Sequence, residues 1–310
     1  MQHIQHQIVE TIGLTKNFRG RLAVDDLSLQ VAEGDIYGFL GPNGAGKSTT
    51  IRMLVGLIRP NRGVARLLGH DIMKDRIKAL KYVGALVESP SFYKFLTARQ
   101  NLRLLSRLSG ACDDRRIDEV LDVVGLLDHA NDKVKTFSHG MCQRLGIAQA
   151  LLPKPKLVIL DEPTSGLDPQ GMKEVRELIK HLVKEEKVTI FLSSHLLYEV
   201  EQICTKVGII NNGRLIAEGE VDKLLQQEMN LVEFGVNDVG RASEIAARNG
   251  EVDVVSCGQD CLVVRVRQEI IPELNRALVT AGVEVFSIIP KKMNLEDLFL
   301  DVIQDSRHDN

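Results

Sequence analysis

Residues Gly41-Pro42-Asn43-Gly44-Ala45-Gly46-Lys47-Ser48 satisfy the pattern GxxxxGK[ST] at every fixed position. They follow a strand-like run, Asp35-Ile36-Tyr37-Gly38-Phe39-Leu40, and precede a helix-like run from Thr49 to Leu57. A strand, a glycine-rich loop and a helix in this order confine the chain to an α/β core built to cradle phosphate. Glycines are required because backbone N–H groups must curl around phosphate oxygens with no Cβ in the way. The following helix N-terminus adds its partial positive charge. The pattern therefore predicts a nucleoside triphosphate held by Gly41 to Ser48 and Thr49, with Lys47 reaching the β and γ phosphates and Ser48 ligating Mg²⁺.

Composition narrows the classes that remain. With 310 residues, 44% hydrophobic and 26% charged, the chain has room for two globular domains and lacks the bias of a disordered one. A net charge of −3 argues against an extended nucleic-acid-binding surface. Apolar runs such as Leu157-Val158-Ile159-Leu160 fall far short of the roughly 18–20 residues of a membrane-spanning helix, and no secretory leader opens the sequence. These features predict a cytosolic chain unless a partner holds it at a membrane. The five cysteines, at 112, 142, 204, 257 and 261, form neither a disulfide framework nor a paired zinc motif. They read as reduced and mostly buried. Cys257 and Cys261 flank the turn Gly258-Gln259-Asp260, where they either pack or form a redox pair.

The order of elements gives the architecture. Alternating runs such as Ile8 to Ile12 and Leu27 to Val31 predict antiparallel strands before the phosphate loop. Apolar spacing in Asn101 to Leu108, Ile117 to Val124 and Met141 to Leu152 predicts a helical insertion over about 88–152, closed by Pro153. Buried strands follow at Lys156 to Leu160, Val188 to Leu192 and Lys206 to Ile210, with an amphipathic helix at Met172 to Glu185. Strands alternating with helices imply a mainly parallel sheet over 1–220. From about 221 to 310 the order is βαββαβ: strand Leu231 to Val236, helix Val239 to Arg248, a hairpin of Glu251 to Val255 and Cys261 to Arg267, helix Ile270 to Ala281, and strand Val283 to Ile289. That order predicts a small ferredoxin-like α+β domain. A last helix, Asn294 to Ile303, is expected with Leu295, Leu298 and Phe299 on one face. This second domain carries no catalytic constellation; packing, dimer stabilisation and regulation are all open to it.

Two more motifs belong with the phosphate loop. The strand Leu157 to Leu160 ends in Asp161-Glu162, which places Asp161 near the loop as a Mg²⁺ ligand. Glu162 points the other way, where a carboxylate can orient and deprotonate an attacking water. Upstream, Phe137-Ser138-His139-Gly140-Met141 is a small-residue turn opening a helix, a second anion-binding geometry.

Taken in order, these stretches resemble the ATP-binding subunit of an ATP-binding cassette (ABC) transporter. The phosphate loop is Gly41 to Ser48, the signature stretch Phe137 to Met141, and Asp161-Glu162 closes the Walker B strand. Ser165-Gly166-Leu167-Asp168 matches the D-loop and Ser193-Ser194-His195 the switch histidine. The resemblance implies an ATP-dependent homodimer with composite sites, in which Ser138 and Gly140 of one copy bind the γ-phosphate held by the other's phosphate loop, and it makes Asp168 of the D-loop a nucleotide-binding residue. It implies that His195 contacts the γ-phosphate and holds Glu162 and water in line. Phe18 matches the adenine-stacking aromatic, against the plain alternative of strand packing.

Two positions depart from the commonest family pattern. Glu88 stands where a glutamine usually contacts Mg²⁺ and senses the membrane partner; it keeps a metal-facing oxygen but loses the amide donor. His139 and Met141 replace the usual glycine and glutamine of the signature. With Phe92-Tyr93, Leu96-Thr97 and the ending Asn294-Leu295-Glu296-Asp297-Leu298-Phe299, these departures resemble the exporters of the bacitracin and lantibiotic resistance type. The resemblance implies separate membrane-spanning permease subunits, peripheral attachment to the inner face of the membrane, and export of a peptide antibiotic, drug or similar amphipathic compound. The stretch from Glu88 to Asn101 is the expected permease contact, with Phe92 and Tyr93 as either contact or core residues. The alternative is a cassette ATPase acting on ribosomes or nucleic acid. It fits less well with a single cassette and about 90 residues between the phosphate loop and the signature.

Overall fold

The computed structural model describes residues 6–108, 113–225, 230–291, 295, 296 and 299. The chain forms two compact units, the first running to Val221 and the second starting at Asp222.

The first unit opens with the hairpin of β1 (Gln7–Phe18) and β2 (Arg21–Ala32), paired antiparallel with Thr11 opposite Leu29. The Thr11 hydroxyl is buried between them, donating to Leu27 O and accepting from Leu29 N, each at 3.0 Å. That satisfies a polar group that would otherwise be costly inside the core. Then come β3 (Ile36–Leu40), α1 (Lys47–Leu54), β4 (Arg62–Leu67), β5 (His70–Asp71), α2 (Arg76–Leu80) and β6 (Val83–Leu86). β4 and β5 extend the hairpin into a four-stranded antiparallel sheet of order β2-β1-β4-β5.

The helical insertion consists of α3 (Ala98–Leu108), α4 (Asp114–Val123) and α5 (His139–Leu151). The remaining core elements are β7 (Leu157–Asp161), α6 (Pro169–Lys184), β8 (Thr189–Ser194), α7 (Leu197–Glu201), β9 (Lys206–Asn211) and β10 (Arg214–Glu220). The six-stranded sheet has the order β10-β9-β3-β8-β7-β6 and is parallel except for β10 at its edge. Every residue of β3, β7 and β8 is buried, as expected of parallel strands covered on both faces. Their carboxyl ends lie side by side, which is where open α/β sheets gather ligand-binding groups.

Helix limits shift for local reasons. α6 starts at Pro169 rather than Met172, because Asp168 caps it by accepting from Gly171 N at 3.0 Å and proline suits the first turn. α4 starts early at a second aspartate cap, Asp113, which accepts from Arg116 N. The short strand β6 was not anticipated: its sequence Val-Gly-Ala-Leu shows no alternation, and the pairing to β7 defines it. Gly84 lets α5 approach, since a Cβ there would stand 2.0 Å from Ala150 O. Gly84→Ala should cost about 1–3 kcal/mol by forcing strand and helix apart, read as a lower denaturant midpoint. An unchanged midpoint would mean that this contact yields freely.

In the second unit, after α8 (Val221–Leu225) at the boundary, the elements are β11 (Asn230–Val236), α9 (Val239–Arg248), β12 (Val252–Cys257), β13 (Cys261–Val266), α10 (Ile271–Thr280) and β14 (Val285–Lys291). The sheet order β12-β13-β11-β14, antiparallel throughout, is the ferredoxin-like arrangement. Val232, Phe234, Leu262 and Val264 alternate inward against Ala242, Ala246, Leu274 and Leu278 of the two helices. The expected helix 294–303 lies largely outside the described residues.

Cys142, Cys204, Cys257 and Cys261 are free, and Cys257 pairs in register with Leu262 rather than Cys261. Burial pushes the Cys204 thiol well up, and raises that of Cys142 against an opposing pull from Lys94, so both stay protonated near neutrality. Cys112 lies outside the described residues. Among the described residues no helix is long and apolar enough to cross a membrane.

Candidate active site

The phosphate loop turns at Gly46, the N-cap of α1, with φ 113. A Cβ there would meet Ala23 O at 2.5 Å, so only glycine fits this turn and this close approach. Gly41 and Ala45 are buried behind the loop, while Asn43, Gly44, Gly46, Lys47, Ser48 and Thr49 line a cleft of about 390 Å³. Phe18, Arg21, Ala23 and Glu162 complete its walls. Phe18 is 44% exposed, and the Lys16 ammonium stands 4.9 Å from the centroid of its ring. Lys47 is only 5% exposed, yet its charge is well partnered. Its ammonium donates to Gly41 O at 2.7 Å and Pro42 O at 3.3 Å, and pairs with Glu162 Oε1 at 3.3 Å. A buried cation requires such partners.

At the end of β7 the chain turns sharply, with Glu162 at φ 52. Asp161 and Glu162 thereby face different neighbours. Asp161 Oδ1 accepts from Ser193 Oγ at 2.6 Å and from Ser48 Oγ at 3.3 Å. Glu162 N donates to Ser193 Oγ at 3.0 Å, and its Oε2 pairs with His195 Nδ1. The Glu162 carboxylate is thus gripped by Lys47 on one oxygen and His195 on the other. A carboxylate so fixed can align a water and accept its proton. Ser48 Oγ and Asp161 Oδ1 form a hard oxygen pair beside the phosphate loop, a donor set that fits Mg²⁺.

Sequence reasoning missed the role of Ser193 in this network. The signal was available in the parallel register, which sets Asp161 opposite Ser193. Ser193→Ala removes a bond to Asp161 and another to the Glu162 backbone. It should lower stability by about 1–2 kcal/mol and weaken Mg²⁺-dependent nucleotide binding, measurable by calorimetry with and without the metal. Equal binding in the variant would separate Ser193 from the metal site.

Glu88 lies two residues beyond β6, at φ 69. Its carboxylate pairs with Arg52 of α1, which ties this loop to the helix that follows the phosphate loop.

The signature and D-loop residues stand apart from the cleft. Ser138 caps α5, its Oγ accepting from Met141 N at 3.2 Å. Asp168 caps α6 in the same way, and a Cβ on Gly140 would lie 3.9 Å from Gly171 Cα, so the two helix N-termini meet. His139 packs beside Gly166 of the D-loop. None of Ser138, Gly140 or Asp168 lines the cleft.

Comparison with known proteins agrees with this geometry. The ABC transporter family profile matches residues 24–165. The bacitracin transport ATP-binding protein BcrA of Bacillus licheniformis is 44% identical over 96% of this chain and 97% of its own length. The daunorubicin/doxorubicin resistance ATP-binding protein DrrA of Streptomyces peucetius is 41% identical over 70% of this chain and 66% of its own. A solved structure described as the ATP-binding subunit of an ABC transporter superposes with a TM-score of 0.62 at 31% identity, covering 71% of this chain and 92% of that one. Near end-to-end similarity to BcrA, on a fold that links Lys47, Asp161, Glu162 and His195 through the contacts of Ser48 and Glu162, settles the family: this chain belongs to the ATP-binding subunits of ABC transporters, in the branch of the bacitracin transport proteins, and is an ATPase whose hydrolysis energises transport.

Proposed function

We propose that residues 1–220 form the nucleotide-binding domain of an exporter, acting as an ATP-sandwiched homodimer on the inner face of the membrane, and that 221–310 form an accessory domain. The observation that carries the mechanism is the grip on Glu162 by Lys47 and His195 beside the Ser48–Asp161 pair. Phe18 stacks on adenine, and the backbone N–H groups of Gly41 to Thr49 cradle the phosphates. Lys47 neutralises the β and γ phosphates, and Glu162 accepts the proton of the water that attacks the γ-phosphorus. His195 keeps Glu162 in line and donates toward the γ-phosphate. Ser48 and Asp161, with Glu88 as a further oxygen donor, would hold Mg²⁺, which would supply neutralisation of phosphate charge.

Ser138, Gly140 and Asp168 complete the site of the second copy, consistent with their position outside the cleft of their own. Mixed dimers test this. With Ser138→Ala in one subunit and Glu162→Gln in the other, the single remaining complete site should be the one that pairs an intact signature with an intact Glu162. Loss of hydrolysis at both sites, the outcome if each signature served the ATP of its own copy, would contradict the composite site.

The relatives' names support a peptide antibiotic, drug or similar amphipathic compound as cargo, with selection left to separate permease subunits. The permease contact falls on the Glu88 to Asn101 stretch, where Tyr93 and Phe95 are 54% and 67% exposed and their rings meet at 5.8 Å. Exposed aromatics of this kind serve as anchors at interfaces. Phe92 is half-buried and takes the packing role.

A further inference from the structure

We infer that Arg21 binds the α–β phosphate portion of the nucleotide from the tip of the β1–β2 hairpin, opposite the phosphate loop. The inference rests on the reading of the cleft as the ATP site. The hairpin closes through Arg19 at φ 49 and Gly20 at φ 94, and its last register pair is Phe18 with Arg21. Directly opposed residues of an antiparallel pair project from the same face of the sheet. Phe18 and Arg21 accordingly both line the cleft. The Arg21 guanidinium reaches the phosphate loop, its Nη2 lying 4.0 Å from where a Cβ of Gly44 would stand.

Its charge is uncommitted. Lys16, a neighbouring cation on this hairpin, donates to Arg59 O at 2.8 Å and stands 4.9 Å from the centroid of the Phe18 ring. Among the described residues no carboxylate pairs with Arg21. A planar guanidinium fork with no acidic partner, on the wall of a phosphate-binding cleft, matches the bidentate geometry of phosphate oxygens. The position along the nucleotide follows from its neighbours. The γ-phosphate end is set by Lys47 and Glu162, whereas Arg21 shares the hairpin tip with the base-stacking Phe18. That leaves the α and β phosphates, which ATP and ADP have in common.

The test is equilibrium titration of the full chain with ADP and with a non-hydrolysable ATP analogue, at several KCl concentrations. Arg21→Gln should weaken both nucleotides equally, by roughly fivefold to tenfold. Arg21→Lys should recover part of the loss, because the charge survives without the fork. The salt dependence of binding should flatten in Arg21→Gln, a change that a purely structural role would not produce. Unchanged affinities overturn the proposal, as does a loss confined to the ATP analogue, which would move the contact to the γ-phosphate. If the unmodified chain binds neither nucleotide, the reading of the cleft itself fails; binding by the unmodified chain with no effect of Arg21→Gln overturns the Arg21 assignment alone.

Discussion

Glu162→Gln should bind ATP within about threefold of the unmodified chain, yet hydrolyse it about 10²–10⁴-fold more slowly, the contribution of a positioned general base. The amide keeps an oxygen for the Lys47 ammonium and a polar atom for His195, so the walls of the cleft survive the change. What disappears is the ability to take a proton from water. With hydrolysis blocked, ATP should hold two copies together, and size-exclusion chromatography should show an ATP-dependent dimer that dissociates when the nucleotide is removed. The partner mutation His195→Ala should slow turnover as well, since it frees one oxygen of Glu162 without removing the base. Normal turnover in Glu162→Gln would transfer the base role to another group.

Lys47→Ala acts earlier, on binding. The ammonium is nearly inaccessible and bridges two loop carbonyls to Glu162. Its loss deletes the charge that faces the phosphates and takes one donor away from Gly41 O and from Pro42 O, which keeps Ala45 N. A charge-assisted hydrogen bond contributes about 2–3 kcal/mol, so the dissociation constant for ATP should rise about 30–150-fold. Calorimetry gives that number directly, and circular dichroism separates it from unfolding. Unchanged affinity would place the phosphates elsewhere than in the Gly41 to Ser48 loop.

The parts of this molecule that could be read from its sequence are those fixed by local physics. β3, β7 and β8 are buried on both faces and so are continuous apolar runs. The phosphate loop needs glycine where backbone must pass close to backbone, at Gly46 against Ala23. The βαββαβ order of the second unit is enough to suggest the β12-β13-β11-β14 sheet. Contacts that depend on register between distant segments were not legible in the same way. Ser193 meets Asp161 only because β7 and β8 are neighbours in parallel. The Glu88–Arg52 pair joins residues 36 apart across the sheet and α1. Arg21 belongs to the cleft only because a two-residue turn sets it opposite Phe18. Caps fall between the two cases: Asp168-Pro169 states the start of α6 in its own chemistry, but apolar spacing alone begins the helix at Met172.

The central claim is that this ATPase drives a membrane-spanning partner. Tagged Glu162→Gln protein, extracted from native membranes in mild detergent with MgATP and examined by mass spectrometry, tests it most directly. The account predicts a polytopic membrane protein recovered in stoichiometric amount, whose own ATPase-coupled activity then identifies the cargo. Recovery only in the soluble fraction, bound to ribosomes or nucleic acid, would contradict it.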